Sequence, residues 1–147
     1  MKIAVGNDHA GYDAPEPYYK PEIVKYLEGK GVEVINCGCD NAEAVDYPDI
    51  AHAVADAVVS GEADTGLLLC GTGIGVSITA NRHAGIRAAL CTSPEMAVLS
   101  RQHNDSNVLC LGRRVLSLEE CYAIIDAWLN EDFSGVDRHR RRVDKMG

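Results

Sequence analysis

LLLCGTGIG, residues 67–75, passes from three leucines through a cysteine into three glycines at every second position. Three leucines in a row leave no polar face, so the run reads as a strand buried on both sides. The glycines stop it, and a short helix from about residue 75 to 81 is expected next. Four similar runs accompany TGLLLCG (65–71): KIAVG (2–6), VEVINCG (32–38), GIRAALC (85–91) and NVLCLG (107–112). Each is bounded by Gly, Asn or Asp and reads as a strand.

Segments of helical period lie between them. In YPDIAHAVADAVVSG, Ile50, Val54 and Val58 recur every fourth residue and Gly61 follows as a stop signal. SPEMAVLSRQH opens with Ser93 as an N-cap and Pro94 at the first helical position. SLEECYAIIDAWLN opens with a Ser117 to Glu120 capping box and places Tyr122, Ile125, Trp128 and Leu129 on one stripe. Strand and helix alternating in this way predict an α/β fold. The expectation is one domain over residues 1–147, a three-layer α/β/α sandwich with a five-stranded parallel, Rossmann-like sheet. One stretch fits poorly: Pro15, Pro17 and Pro21 should delay the first crossover helix until about residue 21. The loop they form, with Tyr18 and Tyr19, should then hang near the strand ends, either shaping a pocket or as an inert insertion.

The 147 residues are 46% hydrophobic, enough for one buried core. No run approaches the roughly 20 apolar residues of a membrane span, and the N-terminal run is too short for a secretory h-region. The reading is a soluble cytoplasmic protein with no membrane partner. Six cysteines without a C-x-x-C pair argue against a disulfide framework or a zinc site. A net charge of −8 argues against a nucleic-acid partner. RHRRR at 138–142 is the local exception, either a solvated basic face or a site for an anion.

In open α/β sheets, ligands bind beyond the carboxyl ends of the strands. NDH (7–9), CGTGIG (70–75), CTS (91–93) and GRR (112–114) occupy those ends, with HND (103–105) and DYP (46–48) close in sequence. CGTGIGVS lacks the lysine of a Walker A loop. Its G-x-G-x-G spacing also departs from the dinucleotide fingerprint, and no acidic residue ends GIRAALC. What remains is a strand-to-helix turn whose amides and helix dipole favour a negative oxygen. Cys70 at its edge lies in the same field, which suits a nucleophile or a proton-abstracting base. Alternatively, Cys70 is a small hydrophobe ending a strand and the glycines serve tight packing.

Taken together, GNDHAGY, VDYPDIA, GLLLCGTGIGVSITANR, GIRAAL, SRQHNDSNVLCLGRRV and RHRRRV resemble, in order and over nearly the whole chain, the ribose-5-phosphate isomerase B family. That family includes the allose- and galactose-6-phosphate isomerases. The resemblance implies that Cys70 moves a proton between C1 and C2 of an open-chain sugar phosphate, with ribose 5-phosphate and ribulose 5-phosphate as the default pair. Thr72 and the amides of Gly71, Gly73 and Gly75 would hold the enediolate oxygen. A glutamate that serves as base in one branch would fall at Val76 here, which leaves the task to Cys70. Asp8 would bind sugar hydroxyls and His9 would lie near the phosphate. His103 would open the furanose ring, and Asn104 would bind the sugar or the enediolate. Arg113, Arg138 and Arg142 would grip the phosphate, which favours the anion reading of the tail. No cofactor or metal is implied. The expected assembly is a homodimer or tetramer whose sites draw on both subunits. The residues from Tyr12 to Pro21 exceed the family's usual length and leave room for another sugar phosphate, and a non-catalytic phosphosugar-binding subunit is the alternative from another class.

Overall fold

The computed structural model describes residues 1–147. Its centre is a parallel sheet of five strands: β1 (Lys2–Asn7), β2 (Glu33–Asn36), β3 (Thr65–Cys70), β4 (Ala88–Leu90) and β5 (Val108–Gly112). Their spatial order is β2-β1-β3-β5-β4. Strand order therefore reverses between β1 and β3, where the crossovers leave in opposite directions and open a crevice at the carboxyl ends.

The leucine run divides its side chains between two layers. Leu67 and Leu69 join Ile3, Val5, Leu109 and Leu111 on one face, packed against Ile23 and Leu27 of α1 (Tyr19–Gly29) and Ile124, Ile125 and Trp128 of α5 (Leu118–Leu129). Leu68 and Cys70 join Ala4, Val108 and Cys110 on the other, against Val54 of α2 (Tyr47–Val59) and Val76 of α3 (Ile74–Ala80). Two-sided burial is why the run needs no polar alternation. It also fixes the layer that Cys70 faces. α4 (Pro94–Asn104) joins the first face through Ala97, and α6 (Asp137–Asp144) packs against α4. No helix is long and apolar enough to cross a membrane. All six cysteines are free thiols.

The caps follow the local sequence. Ser93 Oγ accepts from the Met96 amide, and Ser117 with Glu120 forms the full capping box of α5. Two expectations need correction. α1 begins at Tyr19, before Pro21, because the first turn of a helix has no intrahelical use for proline's missing N–H. Tyr19 is accordingly a core residue, its hydroxyl donating to the Leu116 carbonyl at 2.7 Å. The buried stripe of α5 is Cys121, Ile124, Ile125 and Trp128, whereas Tyr122 and Leu129 lie at its margin.

A buried cation ties the crevice wall together. Lys20 is 3% exposed, and its Nζ donates to Asn7 Oδ1 at 2.5 Å, Asn36 Oδ1 at 3.0 Å and the Cys39 carbonyl at 3.2 Å. These bonds join α1 to the ends of β1 and β2. Burial pushes the ammonium's pKa down, opposed by the nearby Asp40. Lys20→Met strands the buried Asn7 Oδ1 and removes the part-buried bonds to Asn36 and Cys39, so urea unfolding should show a loss of about 2–4 kcal/mol. A loss below about 1 kcal/mol would mean that these bonds do not hold the wall.

Candidate active site

Three strand ends converge on the crevice. The Asp8 amide donates to the Leu69 carbonyl at 3.2 Å, extending the β1–β3 ladder by one step and setting Asp8 beside the end of β3. Its carboxylate caps a single 3-10 turn, His9–Tyr12, by accepting the Ala10 amide at 2.9 Å. His9 Nδ1 accepts the Val45 amide at 3.3 Å, so a neutral His9 carries its proton on Nε2.

Cys70 closes β3 opposite Gly112 of β5 and is 5% exposed. Its sulfur accepts the Gly73 amide at 3.1 Å, while Thr72 Oγ1 accepts the Ile74 amide at 3.2 Å. The turn is thus wound around the sulfur, and the Gly73 amide expected at a substrate oxygen is here engaged by Cys70. Gly73 sits at φ +80°, and a Cβ there would lie 2.6 Å from Leu90 Cδ1. Only glycine suits both demands. At Gly75 a Cβ would meet the Tyr47 ring at 2.5 Å. Tyr47, the first residue of α2, is thereby a wall of the turn.

After β5 the two arginines diverge. The Arg113 guanidinium lies 4.1 Å from the Tyr19 ring centroid, and its Nη2 donates to the Asp13 carbonyl at 3.4 Å. Arg114 is the one that meets the glycine turn, since a Cβ on Gly71 would lie 3.2 Å from Arg114 Nη1.

The other expected residues gather elsewhere. His103 and Asn104 occupy the last turn of α4, which returns the chain to the amino end of β5. There the Gly66 amide donates to the Asn107 carbonyl at 2.9 Å. Cys70 lies four residues further along β3, about 13 Å at the usual strand rise. The His103 ring centroid is 4.3 Å from that of His139 on α6, whose Nδ1 lies 2.6 Å from Ser134 Oγ. Burial, then the charges of His103, Arg138 and Arg142, push His139 below the usual histidine value. Arg138 and Arg142 are exposed one turn apart on α6. The chain therefore brings together Asp8, His9, Cys70, Gly71, Thr72, Gly73 and Gly75 at one end of the sheet. His103, Asn104, Arg138 and Arg142 form a second cluster toward the other end. No group of three or more His, Cys, Asp or Glu side chains is arranged to hold a metal ion.

Sequence reasoning passed over Arg114, Tyr47 and His139. The tandem GRR and the opening DYP were visible signals for the first two. His139 had none, because its burial depends on the packing of α6.

An open parallel sheet with an acid, a thiol and a glycine turn at its switch point defines a doubly wound α/β protein with a ligand crevice at the carboxyl ends of its strands. Comparison with known proteins narrows this. Residues 3–146 match the Ribose/Galactose Isomerase family model, and the chain belongs to that family. It is 52% identical to ribose-5-phosphate isomerase B of Escherichia coli over 145 residues, covering 99% of this chain and 93% of that protein. Among solved structures, ribose-5-phosphate isomerase B of Clostridium thermocellum superposes with a TM-score of 0.94 at 50% identity, covering 100% of this chain and 95% of the other. The type B enzyme of Trypanosoma brucei gives 0.92 at 46% identity, covering 99% and 95%.

Proposed function

We propose that this single domain is a cytoplasmic aldose–ketose isomerase that interconverts ribose 5-phosphate and ribulose 5-phosphate. The observation that carries the reading is Cys70 held against the glycine turn beside Asp8, in a chain 52% identical to a ribose-5-phosphate isomerase B.

A C–H beside a carbonyl is a weak acid, so the catalyst must place a base near it and stabilise the enediolate. In this reading the Cys70 thiolate takes the C2 proton of the open-chain aldose. The C–H electron pair forms the C1–C2 double bond and the carbonyl pair moves onto O1. Thr72 and the turn amides of Gly71, Gly73 and Gly75 receive that charge, the Gly73 amide turning from sulfur to substrate. The Cys70 thiol then returns the proton to C1 as the O2 proton passes to O1, which gives the ketose. Asp8 and Asn104 hold hydroxyls, and His103 opens the ring by moving a proton between O1 and the ring oxygen. His9, Arg138 and Arg142 hold the phosphate, together with the arginines after β5.

Cys70 and His103 belong to clusters toward opposite ends of one sheet, Cys70 standing about 13 Å along β3 from Gly66, which pairs with the start of β5 just after α4. A complete site therefore pairs the cluster at the strand ends of one copy with the histidine–arginine cluster of a second, in a homodimer or a tetramer made from such dimers.

A second reading keeps the mechanism and changes the sugar. It is favoured by Asp13, in the proline-rich loop, reaching the arginines that follow β5. NMR-followed turnover of tetrose, pentose and hexose phosphates decides between the two. The reading holds if ribose 5-phosphate gives the highest kcat/KM, and fails if another sugar does or if none is turned over.

A further inference from the structure

Asp13 touches both arginines that follow β5. Its carbonyl accepts Arg113 Nη2 at 3.4 Å, and its carboxylate Oδ2 accepts Arg114 Nε at 3.0 Å. Asp13 is also the last link of the 3-10 turn that Asp8 begins, with its own amide donating to the Ala10 carbonyl at 3.1 Å. One rigid turn thus has the buried Asp8 at one end and the arginine-binding Asp13 at the other. β1 and β5 are the two neighbours of β3 in the sheet, so the Asp13–Arg114 contact spans the end of the strand that Cys70 terminates.

The geometry of Arg114 gives this span a use. Asp13 engages the guanidinium at Nε, and Nη1 is its nitrogen nearest to the place where a Gly71 side chain would be. A guanidinium held at Nε still presents its paired Nη groups as a fork, the arrangement that matches two phosphate oxygens. Asp13 first, and then Asp8 and Cys70, push the Arg114 pKa up, consistent with a cation standing at the mouth of the crevice. Arg114 is 58% exposed and Asp13 26%. Such a pair adds little to folding. Its effect lies in restricting a flexible side chain before a ligand arrives, and so reducing the ordering that binding must supply.

We propose that Asp13 is a positioning residue for the substrate's phosphate, holding Arg114 over Gly71 with its Nη fork free. This rests on reading the crevice as a sugar-phosphate site, and it adds the loop between the 3-10 turn and α1 to the determinants of phosphate affinity.

The test measures inorganic phosphate binding by calorimetry and ribose 5-phosphate kinetics on the assembled protein. Asp13→Asn should weaken phosphate binding and raise KM by about tenfold each, with kcat changing less than about threefold. Asp13→Glu, which restores the carboxylate, should recover at least half of the lost affinity on a logarithmic scale. In an Arg114→Lys background, Asp13→Asn should add no further loss, because its effect passes through the guanidinium. Phosphate binding by Asp13→Asn as tight as in the parent would overturn the proposal, as would a fall in kcat at unchanged KM or full additivity with Arg114→Lys. If Asp13→Asn does not fold, Asp13→Glu and Arg114→Lys carry the test: each should weaken phosphate binding, and parent-like affinity in both overturns the proposal. A parent protein that binds phosphate but turns over no sugar would sink the isomerase reading alone, since phosphate titration reads Asp13 without turnover.

Discussion

Cys70→Ala is expected to lower kcat/KM for ribose 5-phosphate by about 10²–10⁴-fold, the range of a positioned acid–base group, and to abolish exchange of the substrate C2 proton with solvent deuterium. The exchange measurement isolates the step in question, because it follows removal of the proton and is insensitive to ring opening in a pre-equilibrated open chain. Cys70→Ser is the informative companion. It keeps the shape at a site only 5% exposed, but an alcohol is a far poorer base source than a thiol near neutrality, so it should be nearly as inactive as the alanine variant. Cys70 packs with Val76 and Cys110, and the loss of one sulfur there should lower stability by about 1 kcal/mol, leaving the fold intact. Exchange at the parental rate in Cys70→Ala would remove Cys70 from the mechanism and return it to the role of a small hydrophobe ending a strand.

Mixing two dead variants should regenerate an active enzyme. Cys70→Ala and His103→Ala each disable one of the two clusters, and each alone should show less than about 1% of parental turnover. If a site takes Cys70 from one copy and His103 from another, subunit exchange at equal amounts produces mixed dimers in about half of the population. Each mixed dimer holds one fully intact site, so about a quarter of the parental activity should return. A mixture of Cys70→Ala with the Cys70→Ala, His103→Ala double variant should recover nothing. Native mass spectrometry establishes that mixed dimers have formed. Mixed dimers without activity would show that each chain completes its own site, against the separation along β3.

The architecture was largely legible because its signals are local. Each strand is a short apolar run with Gly, Asn or Asp at one or both of its ends, and each of α4 and α5 announces its start with a serine whose side chain accepts the expected amide. Errors arose where local rules leave a choice. Pro21 is compatible with either a loop or the first turn of a helix, and the burial of Tyr19 favours the helix. The stripe of α5 differs from the expected one because facing residues on α4 and the sheet, absent from any local window, select which of its many apolar residues are covered.

The site divides along the same line. Asp8, Cys70 and the glycine turn were legible because they end or immediately follow strands, and an open parallel sheet gathers such residues in one crevice. Arg113 and Arg114 are adjacent in sequence, and only packing separates them, sending one onto Tyr19 and the other over Gly71. By itself the sequence determined the alternation of strands and helices, the thiol at a glycine turn and the family to which these motifs point, all of which depend on neighbours within a few residues. The tertiary structure decided which arginine meets the turn, that Asp13 links the turn after β1 to the arginines after β5, and that His103 stands apart from Cys70. Those are distances between residues remote in the chain, set by how two faces of one sheet are covered.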